Sequence, residues 1–149
     1  MTTRLREQLI RHEDLRLKPY RDSVGKLTIG VGRNLDDVGI SREEALLLLD
    51  NDILRAQTAV IRELPWAVEL DRQRFEVLVN MAYNLGIRGL LGFRKFLAEL
   101  HDGHFEAAAK EMLDSRRAEQ VGRRAQELAG IVRTGEDPFG RNDGGDQIG

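Results

Sequence analysis

The long helical segment that begins at Ser41 constrains the fold of this chain most strongly. Ser41 and Glu44 have the S-x-x-E spacing of a capping box, in which each side chain bonds the backbone N–H of the other residue. Apolar residues then recur at helical spacing for over 20 residues, until Pro65 ends the pattern. This helix is long for a chain of 149 residues, so we expect it to link two lobes.

The residues before this helix predict a short helix and a β-hairpin. Apolar residues on one helical face predict the first helix, with Thr3 at its N-cap. Pro19 disfavours helix at the preceding residue, so we expect the helix to end near Glu13–Leu15. The segments LRLKPY and KLTIGVG flank RDSVG, which predicts a hairpin with its turn at Asp22–Gly25. A third strand or a loop is expected to follow.

The residues after Pro65 predict a set of further helices. Asp71 fits the N-cap of a helix that has Gly86 as its C′ residue. Helical spacing recurs in three later segments, at 93–100, 105–113 and 123–134. From residue 136 the chain is rich in glycine and aspartate with little to bury, so we expect 136–149 to be a mobile tail.

These elements predict an α+β protein of mostly helical content, with a small β-sheet lobe and a larger helical lobe joined by the long helix. We assign residues 1–135 to one domain. Its expected parts are a sheet lobe at about 14–40, a linking helix at about 41–64, and a helical lobe at about 66–135 that includes the N-terminal helix.

Composition excludes several classes of function. A net charge of −2 gives no general reason to expect nucleic acid as a partner, and the absence of cysteine excludes thiolate metal sites. The three histidines lack metal-ligand spacing with acidic residues, so we expect no metal and no cofactor. The N-terminal segment has no apolar signal region, and no apolar run is long enough to span a bilayer. We therefore expect no stable membrane insertion.

Glu13, Asp22 and Thr28 are the candidate catalytic residues. Hydrolysis of a glycosidic bond usually needs one carboxyl group to protonate the leaving oxygen and a second to act on the opposite face of the sugar. A hairpin between Asp22 and Thr28 brings them near each other, where the hydroxyl can hold a water against the carboxylate. On residue types alone a turn-forming Asp22 is the simpler interpretation.

The order of motifs along the chain adds to this interpretation. E-x8-D-x5-T, with tyrosine two before the Asp and TIGVG beginning at the Thr, resembles the active-site segment of the bacteriophage lysozymes (endolysins) of glycoside hydrolase family 24. Three later segments resemble that family in order: NMAYNLG at 80–86, GFRKFLAEL at 92–100 and SRRAEQVGRRAQELAGIVRTG at 115–135. The resemblance covers roughly residues 5–135.

The resemblance implies a role for each matching residue. Glu13 is the general acid, Asp22 is the second carboxylate that positions the attacking water, and Thr28 helps to hold that water. The resemblance implies that Arg124 pairs with Glu13. The implied substrate-binding residues are Gly30, Tyr83, Asn84 and Arg124.

The implied activity is that of a muramidase. It would hydrolyse the β-1,4 bond between N-acetylmuramic acid and N-acetylglucosamine in bacterial peptidoglycan, with inversion, to lyse the host cell. The implied protein is a monomer that accumulates in the host cytoplasm and reaches the wall through a separate membrane pore. The alternatives are a lytic transglycosylase that cuts the same bond, and a phage structural domain that binds peptidoglycan without cutting.

Three positions depart from the family pattern. Asp14 follows the implied acid where glycine is usual, Arg33 follows TIGVG where histidine is frequent, and an aromatic residue expected near Arg117 is missing.

Asn80 and Asn84 share one helix face, where they can serve the core, the sugar or both.

Overall fold

The computed structural model describes residues 3–140. Within them lie seven α-helices: α1 Thr3–Glu13, α2 Arg42–Glu63, α3 Arg72–Leu91, α4 Arg94–His101, α5 Phe105–Asp114, α6 Ala118–Val121 and α7 Arg124–Thr134. The same residues form a 3-10 helix, Pro65–Glu69, and three strands: β1 Arg16–Arg21, β2 Leu27–Gly30 and β3 Arg33–Asn34. The predicted α+β fold class with mostly helical content is confirmed.

The chain divides into two compact units, residues 1–49 and 50–149, with the boundary inside α2. The first unit contains α1, the antiparallel sheet and the start of α2. The second unit contains the remaining helices.

The sheet of the first unit is an antiparallel meander in the order β1-β2-β3. Tyr20 pairs with Thr28, and the β1–β2 turn closes where the Asp22 N–H donates to the Lys26 carbonyl at 2.9 Å. The predicted hairpin and its turn are therefore confirmed. Asp22 and Thr28, however, are not direct partners. They are diagonal neighbours, for which side chains on one sheet face lie further apart than in an opposed pair.

The capping box of α2 is formed as the sequence predicts. The Ser41 hydroxyl accepts the Glu44 N–H at 3.1 Å, and the Glu44 carboxylate accepts the Ser41 N–H at 2.8 Å. Two backbone N–H groups at this helix end, which have no intrahelical partner, are thereby satisfied. The helix ends at Glu63, before Pro65. Thr3, in contrast, is the first residue of α1 rather than the N-cap before it.

The second unit surrounds an apolar core built from all of its longer helices. The largest fully buried side chains there include Phe93, Phe96, Leu78, Met81, Leu90, Leu100 and Met112. The Asp71 side chain caps α3 by accepting the Arg74 N–H at 3.1 Å, as predicted. Gly86 adopts φ 79° and breaks the helical path of α3, which resumes for a further turn. The 3-10 helix and α6 are too short for a periodic pattern to predict.

Arg74 fixes the carboxyl end of α7. Its guanidinium donates to the carbonyls of Val132 at 2.6 Å and Arg133 at 3.2 Å, and lies 3.5 Å from the ring centroid of Phe105. Gly135 then takes φ 80°, in the left-handed region that favours glycine after a helix. Helix ends leave their last carbonyls without intrahelical partners. In α7 a distant side chain, that of Arg74, satisfies two of them.

The chain after α7 makes a turn over residues 137–140, in which the Phe139 N–H donates to the Asp137 side chain at 2.9 Å. The predicted mobile tail falls largely on residues 141–149, which lie outside the described residues. Over residues 3–140, no helix combines the length and the apolar character that a membrane span requires.

Candidate active site

Glu13 is the last residue of α1, and the chain turns sharply behind it. Asp14 has φ 69°, and its N–H donates to the Ile10 carbonyl at 2.8 Å. Asp14 therefore occupies the left-handed position that ends many helices, which glycine fills most readily and which aspartate tolerates. Glycine, which the resemblance implies at this position, would adopt the same conformation without strain.

The side chain of Glu13 lies against the backbone of Gly32, between β2 and β3. A Cβ at Gly32 would lie 3.0 Å from Oε2, 3.2 Å from Cδ and 3.3 Å from Cγ of Glu13. Contacts this short mean that a side chain at Gly32 would have to displace Glu13 by a few tenths of an ångström. The sequence pattern placed Gly32 only in a strand-like run and did not indicate this contact.

Asp22 is held at the hairpin turn by its own carboxylate. Oδ1 accepts the N–H of Val24 at 3.0 Å and of Lys26 at 2.8 Å. Within residues 3–140 the other oxygen, Oδ2, makes no hydrogen bond to protein. Asp22 is thus a turn former, as the simpler interpretation held, and it also retains a free acceptor oxygen.

Thr28 is the one fully buried polar residue among the described residues, with 3% of its surface exposed. Its hydroxyl donates to the Lys26 carbonyl at 2.8 Å. Because a hydroxyl has a single hydrogen, its lone pairs are then available only as acceptors. Asp22 and Thr28 are therefore both anchored to Lys26, a residue that the sequence analysis did not name.

Gly30 has φ 71°, and an added Cβ would meet no protein atom within 4 Å. It lies on a groove of about 870 Å³ that is lined mainly by β2, β3 and the start of α2. The requirement for glycine at position 30 is therefore its backbone conformation. The open space above it is compatible with the predicted approach of a ligand.

Arg33 forms a two-pronged ion pair with Glu44, the capping residue of α2. The two N–O distances are 2.8 and 2.7 Å, and Arg33 also donates to the Gly39 carbonyl at 3.0 Å. The Arg33 hydrogen bond, followed by that from the Ser41 N–H, lowers the pKa of Glu44 to about 2. The same pairing raises the pKa of Arg33. Arg33, the second departure from the family pattern, thus ties the sheet to α2.

Tyr83 lies on α3 and is half exposed, at 49%. It borders a cavity of about 450 Å³, whose other lining residues are Asp52, Arg55, Ala56, Ala59, Ala82 and Ile87. Alanine side chains on α2 and α3 leave this space beside the Tyr83 ring. Such a concave site with an aromatic wall can accommodate a sugar ring.

Arg124 is the first residue of α7, and its guanidinium donates to the Asn80 side chain at 2.8 Å. Asn84, one turn further along α3, donates to the Gln120 carbonyl at 3.5 Å. The shared face of Asn80 and Asn84 therefore contacts α6 and α7. Asn80 is a residue that the site prediction omitted, although its spacing from Asn84 was visible. The predicted pairing of Arg124 with Glu13 stays a prediction.

Arg117 accounts for the third departure from the family pattern. Its guanidinium lies over Gly92, where an added Cβ would be 2.6 Å from Cζ of Arg117. Gly92 and Arg117 line a cavity of about 560 Å³. The cavity is also bordered by Arg94, Lys95 and Arg116. A planar guanidinium thus occupies a surface where an aromatic ring was expected.

A cluster of two acidic residues and a histidine was not predicted from the sequence. The ligand atoms of Glu99, Asp102 and His104 all lie within 4.8 Å of one another, because the chain folds back between α4 and α5. The His104 ring is 3.3 Å from the Glu99 carboxylate, a contact that explains the proximity without a metal ion. The expectation that the histidines lack metal-ligand spacing with acidic residues is therefore wrong for His104.

The sequence model of the phage lysozyme family matches residues 10–136, which include every residue of the candidate site. The chain belongs to the phage lysozyme family. The class that the fold and the family define is a lysozyme-like glycoside hydrolase.

Individual relatives differ in how much of their length the chain covers. An endolysin of Acyrthosiphon pisum secondary endosymbiont phage 1 is 28% identical, over 83% of this chain and 84% of that protein. An endolysin of Bacillus phage B103 is 36% identical, over 68% of this chain and 40% of that protein. The pre-baseplate central spike protein Gp5 of Enterobacteria phage T4 is 29% identical over 87% of this chain, which spans only 27% of that protein.

Proposed function

We propose that this protein hydrolyses the β-1,4 bond between N-acetylmuramic acid and N-acetylglucosamine in bacterial peptidoglycan, with inversion. Glu13 donates a proton to the leaving oxygen, and a water held by Asp22 and Thr28 attacks the opposite face of the sugar. The substrate is bound by Gly30, Tyr83, Asn84 and Arg124.

The observation that carries the proposal is the common anchoring of Asp22 and Thr28 on Lys26. Oδ1 of Asp22 is occupied by backbone N–H groups, while the Thr28 hydroxyl spends its only hydrogen on the Lys26 carbonyl. A water placed between them can donate one hydrogen to Oδ2 of Asp22 and the other to Thr28. Both lone pairs of this water then remain free, so one of them can attack the sugar carbon while the hydrogen donated to Oδ2 passes to Asp22 as a proton. We expect the Glu13 and Asp22 carboxyl groups to be separated by about 6.5–9.5 Å, the range of inverting enzymes.

Clearance of a cell-wall suspension by the wild type and by Glu13→Gln tests this proposal. Loss of a general acid costs about 10²–10⁴-fold in rate, so the variant is expected to be nearly inactive. Product analysis by mass spectrometry completes the test, because hydrolysis gives reducing ends and a lytic transglycosylase gives anhydro products. Equal clearance by the two proteins contradicts the enzyme assignment, and anhydro products contradict hydrolysis.

The route to the wall is part of the same proposal. We propose a monomer that acts from the host cytoplasm after a separate membrane pore opens. Expression in a host with and without a co-expressed pore-forming protein tests this route, and lysis only with the pore is the expected result.

The spike protein supports a second candidate, a lysozyme-like domain of a phage structural protein, since 87% of this chain aligns with it. Detection of the protein in purified phage particles, rather than only in the lysate, would favour this candidate.

A further inference from the structure

The contact between Gly32 and Glu13 joins the loop after β2 to the end of α1, both within the first unit. We infer that Gly32 is a positioning residue, which sets the location of the Glu13 carboxyl group by leaving its own Cβ position open to that side chain. This inference rests on the proposed role of Glu13 as general acid.

The Glu13 side chain runs along the Cβ position of Gly32 and approaches it with three atoms rather than one. The space that a Cβ would need is bordered by Oε2, Cδ and Cγ of Glu13, at 3.0, 3.2 and 3.3 Å. A methyl group at Gly32 therefore has to displace the carboxyl end of Glu13 by a few tenths of an ångström. The start of the Glu13 side chain cannot follow easily, because Asp14 locks the helix end immediately after it.

A displacement of this size matters for proton donation. A general acid acts within hydrogen-bond reach of the atom that it protonates, and small misplacements in such geometry lower the rate steeply. Substrate binding depends on other groups, so kcat is expected to change while KM does not.

Backbone conformation has to be separated from the contact. Gly32 has φ 72°, so any side chain there is strained whatever the space around it. Gly39 is a matched control in the same unit, since it has φ 67° and an added Cβ meets nothing within 4 Å. Gly39→Ala therefore carries the strain without the contact.

The experiment compares Gly32→Ala and Gly39→Ala on soluble peptidoglycan fragments. We expect Gly32→Ala to lower kcat by about tenfold or more, with KM within about twofold, and Gly39→Ala to retain kcat. Equal kcat for the two variants, or an effect of Gly32→Ala confined to KM, overturns the inference. If the wild type itself is inactive, or Glu13→Gln matches it, the proposed function fails instead.

Thermal unfolding provides a second readout that does not need activity. Gly32→Ala should lower Tm less in a Glu13→Ala background, where the displaced side chain is absent, than in the wild type. Gly39→Ala should lower Tm equally in both backgrounds. If Gly32→Ala alone does not fold, Glu13→Ala is expected to restore folding. Additive effects of Glu13→Ala and Gly32→Ala, or continued failure to fold, overturn the inference.

Discussion

The Thr28 hydroxyl donates its hydrogen to the carbonyl of Lys26 at 2.8 Å, and this bond leaves Thr28 with acceptor capacity alone. The same carbonyl also accepts the Asp22 N–H at 2.9 Å. The Lys26 carbonyl therefore remains satisfied when the threonine hydroxyl is removed.

Thr28→Val tests whether the hydroxyl serves catalysis rather than folding. The isosteric change removes one hydrogen bond, so we expect a stability loss of only about 1 kcal/mol. We expect kcat to fall by about tenfold or more, since a group that holds the water is lost. Thr28→Ser keeps the hydroxyl and is the control in melting and rate measurements. Unchanged kcat in Thr28→Val would remove Thr28 from the mechanism.

Asp14 gives a prediction about conformation rather than charge. Because Asp14 has φ 69°, Asp14→Gly and Asp14→Asn should unfold at similar temperatures, while Asp14→Ala should be less stable by about 1 kcal/mol. Activity of Asp14→Asn should match that of the wild type. A clear drop in its cell-wall clearance would mean that the Asp14 charge acts on the reaction.

The Arg33–Glu44 pair predicts a pH-dependent contribution to stability. The pKa of Glu44 is about 2 in the folded chain, below the 4.5 of a free glutamate, so the pair stabilises the fold above about pH 4.5. This contribution is lost as the pH falls toward 2. The Tm difference between the wild type and Glu44→Gln should therefore be largest near neutral pH, shrink steeply below about pH 4.5, vanish only below about pH 2, and decrease with added salt.

Glu43→Gln is the matched control for this measurement, since it removes a charge from the same turn of α2. A Tm difference that is independent of pH for Glu44→Gln would contradict the assignment of the pair.

We predict that replacing Arg74 lowers the free energy of unfolding more than breaking an exposed ion pair does. Its side chain is 13% exposed and donates to two carbonyls of α7, so Arg74→Ala should lower the free energy of unfolding by about 2–3 kcal/mol. Arg74→Lys should recover only part, because an ammonium cannot reproduce the guanidinium fork. Denaturant titrations measure both. Lys110→Ala, which breaks an exposed pair with Asp114, should cost under about 1 kcal/mol, and an equal cost would contradict the role of Arg74.

Sequence patterns predicted those features that depend on neighbours along the chain. The capping box at Ser41, the cap at Asp71 and the hairpin turn at Asp22 each need residues only a few positions apart. Periodicity likewise located the longer helices, while α6 contains a single turn and leaves no periodic pattern.

The features that were missed depend on contacts between distant residues. Gly32 meets Glu13, Asn80 meets Arg124, and no local pattern indicates either pair. The register of the hairpin was not predicted for a related reason, since it depends on where the turn closes. That turn closes between Asp22 and Lys26, which sets Thr28 opposite Tyr20.

The anchoring of the last helix by Arg74 sets a limit for engineering this chain. Deleting residues from the carboxyl end inward as far as Val132 removes both carbonyl acceptors of the arginine in α7, and of the Arg74 side-chain hydrogen bonds only the one to the Asp71 carboxylate remains. A fusion partner or affinity tag joined after Glu136 keeps those acceptors, the left-handed Gly135 and the Thr134–Glu136 hydrogen bond in place. The shortest form of this protein that keeps these contacts therefore ends at Glu136, just after the R-T-G sequence at residues 133–135.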